Sequence, residues 1–109
     1  MSGLGHDVSD LIHCFDDDQD LAREAVSAFR ECSPGMIATI ERALNPFDVE
    51  ALEDATHSMK GAVSHFPAPE LYAALAELGC SRTGDEAQDR FGRVRDELSR
   101  FEARLDIMD

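Results

Sequence analysis

Apolar residues recur at intervals of three and four along most of the chain, which is the pattern of amphipathic helices packed around a core. No segment shows the sustained alternation or the turn signals that predict a β-hairpin. The pattern predicts one short helix and four longer ones: Asp7–Phe15, Gln19–Leu44, Phe47–Phe66, Glu70–Leu78 and Asp85–Leu105. Because the connections are short, we expect a single all-α domain over residues 1–109, an antiparallel four-helix bundle with the short N-terminal helix closing one end.

The longest predicted helix contains a proline near its middle. Its apolar stripe continues in register across Ser33-Pro34, so we favour one long, bent helix over two helices of which Ser33 would cap the second. The stripe consists of Ala22, Ala25, Phe29, Cys32, Met36, Ile40 and Ala43.

Two signals predict helix ends in the second half of the chain. The fourth helix is expected to stop at Gly79, because glycine is favoured just beyond a helix C-terminus. Thr83, with Glu86 three residues later, is typical of a capping box at the start of the last helix.

The chain is strongly acidic, with 23 acidic residues, 10 basic residues and a formal net charge of −13. Binding to a nucleic-acid backbone or an anionic membrane requires clustered lysine and arginine, so neither partner is expected. A net charge of this size favours solubility. No apolar run approaches the roughly 18 residues of a membrane span, and the N-terminus lacks the basic and apolar regions of a secretory signal.

The three cysteines, Cys14, Cys32 and Cys80, are widely spaced, and no pair has the spacing of a zinc or redox motif. All three fall at or beside apolar positions, where a free thiol behaves as a small hydrophobic side chain. A reducing cytoplasm is therefore the expected location. The acidic run after Phe15 lacks the glycine and the glutamate of a calcium loop, and it is expected to begin a helix instead.

The third predicted helix has one apolar sector and one polar face. At 100° per residue, the apolar sector is expected to face the core and contains Leu52, Ala55, Thr56, Met59, Val63 and Phe66. Measured from Leu52, His57 falls at about 140°, Gly61 at about 180°, Ser64 at about 120° and Lys60 at about 80°. The exposed face therefore carries a histidine with a glycine, a serine and a lysine around it.

Gly61 is the informative residue of this face, because an exposed histidine or lysine alone is most often an ordinary surface residue. A glycine inside a helix costs about 1 kcal/mol relative to alanine, and close helix packing does not explain a glycine that points outward. Clearing space so that another protein can reach His57 does explain it. An imidazole is a competent nucleophile toward phosphorus, and Lys60 is placed to neutralise phosphoryl oxygens.

The segment Ala55-Thr56-His57-Ser58-Met59-Lys60-Gly61-Ala62 resembles the signature of the histidine phosphotransfer (HPt) family. That signature is a histidine, a variable residue, an apolar residue, then Lys-Gly and a small residue. The resemblance extends to Ser33-Pro34, the helix end at Ala43-Leu44, Leu71 and the amphipathic last helix, so it covers nearly the whole chain.

The resemblance implies an HPt-like four-helix bundle without a nucleotide site, and therefore a stoichiometric carrier instead of an enzyme. His57 would accept a phosphoryl group from a receiver-domain aspartyl phosphate and pass it to another receiver aspartate. Lys60 would neighbour the phosphate, and Gly61 would leave room for the receiver. The docking surface would include Ser58, Ala62 and Ser64.

The resemblance also implies the partners, which are response-regulator receiver domains and a hybrid or sensor histidine kinase. No cofactor is expected on this chain, since Mg²⁺ belongs to the partner receiver. No metal site is expected either, because no histidine has a second ligand at a convincing spacing. The exposed face around His57 predicts a monomer that binds receivers one at a time.

The chain departs from the family pattern at the rim of this face. Pro67 stands where a helix-ending glycine is usual, Pro69 stiffens the turn further, and Gly79 stands where a glutamate or glutamine is common. These changes leave His57 intact and affect which receiver is recognised. The dimerisation hairpin of a histidine kinase fits less well, because an acidic residue typically follows its histidine and here Ser58 does. The serious alternative is a helical adaptor that binds receiver or kinase domains without phosphochemistry.

Overall fold

Four helices make up nearly all of the computed structural model, which describes residues 18–106. They are α1 (Gln19–Leu44), α2 (Val49–Val63), α3 (Pro69–Gly79) and α4 (Gly84–Leu105). Each helix packs against the next, and α1 also contacts α4, which closes the four into a bundle. The all-α class is confirmed, and no β-strand is formed between residues 18 and 106. The predicted helix Asp7–Phe15 lies outside the described residues.

Aspartate side chains set where α1 and α2 begin. Asp18 and Asp48 are the N-cap residues, and each carboxylate accepts a hydrogen bond from the backbone N–H three residues on, at 3.0 and 3.1 Å. The prediction that the second of these helices begins at Phe47 is wrong by two residues. Asp48 has an extended backbone and caps a helix whose first residue is Val49.

The start of α4 is capped by the predicted pair of side chains. The Thr83 hydroxyl accepts from the Glu86 N–H at 3.2 Å, which confirms the first bond of the capping box. The Glu86 carboxylate accepts at 2.8 Å from the N–H of Arg82, the residue before the cap. With Thr83 as the cap, the helix begins at Gly84, one residue before the predicted Asp85.

The turn between α2 and α3 differs from the prediction. The helix that carries His57 ends at Val63 and not at Phe66, because Pro67 lacks an N–H and disfavours the helical conformation of the residue before it. Pro69 is then the first residue of α3, one residue before the predicted start. A proline is tolerated there because the first N–H of a helix has no partner within the helix.

Gly79 does not end α3 through a left-handed conformation, as its residue type suggested. It is the last helical residue, so the helix extends one residue beyond the predicted Leu78, and Cys80 is the C-cap. No described glycine has a positive φ. A Cβ on Gly79 would lie 2.5 Å from the Oγ1 atom of Thr56. The glycine is therefore required by the close approach of α3 to α2.

The helix α1 runs unbroken through Pro34, as the continuous stripe predicts. Its buried face differs from the predicted stripe, because Cys32 is exposed and three residues outside the stripe are buried: Val26, Ser33 and Leu44. Cys32 and the half-buried Met36 lie at the edge of the stripe and line an open groove. Cys80 is exposed as well, and both thiols are free. The prediction that Cys32 belongs to the buried stripe is therefore wrong.

The core includes three phenylalanines from three parts of the chain. Phe29 of α1, Phe66 after α2 and Phe101 of α4 pack edge to face, with ring centroids 5.4 or 5.5 Å apart. The predicted core sector is confirmed, since all of its members are buried: Leu52, Ala55, Thr56, Met59, Val63 and Phe66. Within the described region, no helix combines the length and the apolar character needed to cross a membrane.

Candidate functional site

His57 lies on the solvent-exposed side of α2. Its position follows from its neighbours, because Thr56 and Met59 are buried at 1% and 0% exposure and anchor the opposite side of the helix. Thr56 also donates its hydroxyl hydrogen to the carbonyl oxygen of Leu52 at 2.9 Å. The buried side of α2 is thus fixed in the core, and the imidazole of His57 lies on the opposite, exposed side.

A shallow depression of about 380 Å³ lies beside His57, between α2 and α3. Ala76, Gly79 and Cys80 form the α3 side of this depression, and Lys60 and Glu53 lie on the α2 side. Small residues on α3 leave the depression open, because a larger side chain at Ala76 or Gly79 would project toward α2. The depression offers space next to the imidazole for atoms of a partner molecule.

Lys60 lies on the α3 side of the outer face and is half-buried. Its Nζ atom is 5.9 Å from the centroid of the Tyr72 ring on α3, within cation–π range. Lys60 makes no ion pair within residues 18–106. Its positive charge is therefore available to an anionic group in the depression.

Gly61 lies one turn after His57 and is exposed. A Cβ at this position would meet no atom within 4 Å, and its φ is not positive. Neither packing nor backbone conformation therefore requires a glycine here. Ser64 continues the same face and donates its hydroxyl hydrogen to the Gly61 carbonyl oxygen at 2.7 Å. The structure thus brings His57, Gly61 and Ser64 together on one open surface.

The other two predicted site residues lie on the α1 side of α2. Ala62 lines an apolar groove of about 390 Å³ between the two helices, whose other lining residues are Ala25, Ala28, Phe29, Cys32, Met36, His65 and Phe66. Ser58 lines a neighbouring hollow that also contains Gly35, Met36 and Asp54. His57 therefore stands on a ridge, with the depression on its α3 side and the apolar groove on its α1 side.

The charge around His57 is mostly negative. Glu53 and Asp54 are exposed one turn before the histidine and line the depression with it. Neither carboxylate forms an ion pair with another described residue. Lys60 is the basic side chain among the described residues that line the depression. Between residues 18 and 106, no group of three or more His, Cys, Asp or Glu side chains is arranged to hold a metal ion.

Sequence reasoning missed the contribution of α3 to this site. Tyr72, Ala76 and Gly79 follow one another at helical spacing, so they share one face of the helix. An exposed tyrosine followed by two small residues on the same face was the available signal. That signal indicates a site beside His57 only when this face of α3 is known to pack against α2.

Comparison with known proteins identifies one family. The model of the Hpt domain matches residues 24–104, which includes all of α2 and α3, most of α1 and all of α4 except its last residue. Neither the curated proteins nor the solved structures gave a match. The matched region contains His57, Lys60 and Gly61 together with every residue that lines the depression.

Proposed function

Because this chain belongs to the Hpt domain family, we propose that it is a phosphorelay carrier whose phospho-acceptor is His57. Members of this family are phosphocarrier modules of two-component systems. The observation that carries the proposal is an exposed histidine beside Gly61, a helical glycine with no packing role. Two other predicted residues flank them: Lys60 supplies positive charge, and Ser64 donates its hydroxyl hydrogen to the helix backbone.

The transfer reaction needs only an accessible imidazole on this chain. A ring nitrogen of His57 attacks the phosphorus of a receiver aspartyl phosphate, so an N–P bond forms while the bond from phosphorus to the aspartate oxygen breaks. The carboxylate leaves with the electron pair, and the proton on the other ring nitrogen passes to solvent. In the second step an aspartate oxygen of another receiver attacks the phosphorus, and the imidazole leaves and takes up a proton.

Each of the neighbouring residues has a role in this proposal. Lys60 neutralises part of the negative charge on the phosphoryl oxygens. Gly61 leaves the space through which the receiver aspartate approaches. The receiver docks over the apolar groove on the α1 side, where Ala62 and Met36 offer apolar contact area. Ser58 and Ser64 lie at the edge of the contact.

The proposal extends to partners and location. Receiver domains and a hybrid or sensor histidine kinase are the partners expected of an Hpt domain. The receiver brings the Mg²⁺ ion, and this chain acts stoichiometrically, without a nucleotide site of its own. We propose that it works as a monomer, because His57 must be free for one receiver at a time, and that it resides in the cytoplasm with its partners.

The test is phosphoryl transfer from a phosphorylated receiver domain to the wild type and to two matched variants. His57→Gln removes the proposed acceptor, and His65→Gln removes another exposed histidine just beyond α2. We expect acid-labile, base-stable label on the wild type and on His65→Gln, and none on His57→Gln. Label retained by His57→Gln would contradict the assignment. A folded wild type that no receiver labels would support the adaptor alternative.

A further inference from the structure

We propose that Tyr72 is a positioning residue that holds the Lys60 ammonium group beside the depression next to His57. This inference rests on the proposed function and concerns the side of the site that α3 contributes. The Nζ atom of Lys60 is 5.9 Å from the Tyr72 ring centroid. Lys60 is half-buried, so its chain is confined between the two helices.

The aromatic ring of Tyr72, and not its hydroxyl group, makes the contact with Lys60. Tyr72 is 43% exposed and is one of two large exposed hydrophobic residues within residues 18–106. Its hydroxyl forms no hydrogen bond with another described residue. The ring does not contribute to the core, because much of its surface is exposed. The contact with the Lys60 ammonium group therefore explains why an aromatic residue lies here.

The position of Tyr72 is fixed by the turn that precedes it. Pro69 begins α3, and the Tyr72 N–H donates to the carbonyl oxygen of Ala68 at 3.0 Å. Ala68 and Leu71 are buried at 3% and 2% exposure, so the first turn of the helix is anchored in the core. The prolines of this turn therefore place the ring where Lys60 passes.

A neutral ring suits this role better than a carboxylate. Glu53 and Asp54 line the same depression and would attract the Lys60 ammonium group. An ion pair with either would cancel the charge that the phosphoryl group needs. A cation–π contact holds the ammonium group and leaves its charge in place. Tyr72 thus keeps Lys60 away from the carboxylates and ready for an anion on His57.

The experiment compares Tyr72→Phe, Tyr72→Leu and Lys60→Ala with the double variant Tyr72→Leu/Lys60→Ala. Phosphoramidate serves as donor, because a small molecule reports on the site without the docking of a receiver. Its P–N bond breaks as the bond from phosphorus to His57 forms, and ammonia leaves. We expect Tyr72→Leu to slow labelling about two- to fivefold and Tyr72→Phe to match the wild type, since the ring alone supplies the interaction.

Two comparisons separate positioning from a structural role. In the Lys60→Ala background, Tyr72→Leu should cause no further loss, because the coupling partner is absent. In the unphosphorylated wild type, the ε-methylene protons of Lys60 should show an upfield ring-current shift that Tyr72→Phe keeps and Tyr72→Leu loses. Equal rates for Tyr72→Phe and Tyr72→Leu, or a full loss in the Lys60→Ala background, would overturn the inference alone. No labelling of the wild type would overturn the proposed function together with it.

Discussion

Replacing Gly79 with alanine tests the contact that brings α3 against the helix of His57. The added Cβ would lie 2.5 Å from Thr56 Oγ1, a distance that requires movement. Thr56 is 1% exposed and β-branched, and its hydroxyl is bonded to the Leu52 carbonyl oxygen at 2.9 Å. Turning that hydroxyl away would break a buried hydrogen bond, so the helices must separate instead.

The size of the effect follows from two opposing contributions. Overpacking a well-filled contact costs about 1–3 kcal/mol. The higher helix propensity of alanine stabilises the folded state by at most about 1 kcal/mol, and by less here because Gly79 is the last helical residue. We therefore expect Gly79→Ala to lower the free energy of unfolding by about 1–2 kcal/mol.

The assay is urea unfolding, with Gly92→Ala as the matched control. A Cβ at Gly92 meets no atom within 4 Å, so alanine there should raise the free energy of unfolding by up to about 1 kcal/mol. Combining Gly79→Ala with Thr56→Ala should cost less than the sum of the two single changes, because the second change removes the clashing atom. If Gly79→Ala proved as stabilising as Gly92→Ala, the close-approach explanation would be refuted.

Three further predictions concern access, charge and the core. Gly61→Leu should fold normally, because the position is open, yet should slow transfer from a receiver to His57 by about tenfold or more; an unchanged rate in the folded variant would remove the access role. Asp54→Asn should speed the labelling of His57 by the anionic donor phosphoramidate about twofold at low salt, because it removes a carboxylate that repels the donor, whereas Asp96→Asn, an exposed change on α4, should not; equal effects of the two changes would show that only the net charge matters. Phe101→Ala should lower the free energy of unfolding by about 3–5 kcal/mol in urea, and a loss below 1 kcal/mol would contradict the packing of the three rings.

Helix order and the outward direction of His57 could be predicted from the sequence because both depend on periodicity within one helix. The core sector of α2 is defined by several apolar residues at helical spacing, and His57 lies far from all of them. Helix ends were less predictable. The extended cap residue Asp48 sets the start of α2 at Val49, and the prolines Pro67 and Pro69 set its end near Val63. The apolar pattern alone would continue the helix beyond both residues.

The α3 side of the site could not be predicted, because it depends on how two helices pack. Gly79 looked like a helix-ending residue, and only its distance from Thr56 reveals a packing role. No sequence pattern singles out Tyr72, and only the position of the Lys60 Nζ atom, 5.9 Å from the centroid of its ring, indicates a role for it. Cys32 was assigned to the core because it lies at the edge of a broad stripe, and the open groove beside α2 leaves it exposed.

As a phosphorelay carrier, this chain is proposed both to accept a phosphoryl group on His57 and to pass it on. The most direct test is a chase in which purified, phosphorylated wild-type protein is mixed with an unlabelled receiver domain. We predict that the label leaves His57 and appears on the receiver aspartate, and that a receiver whose aspartate is replaced by asparagine receives none. Label that stays on this chain with every receiver tried, or that maps to a residue other than His57, would contradict the proposed carrier function.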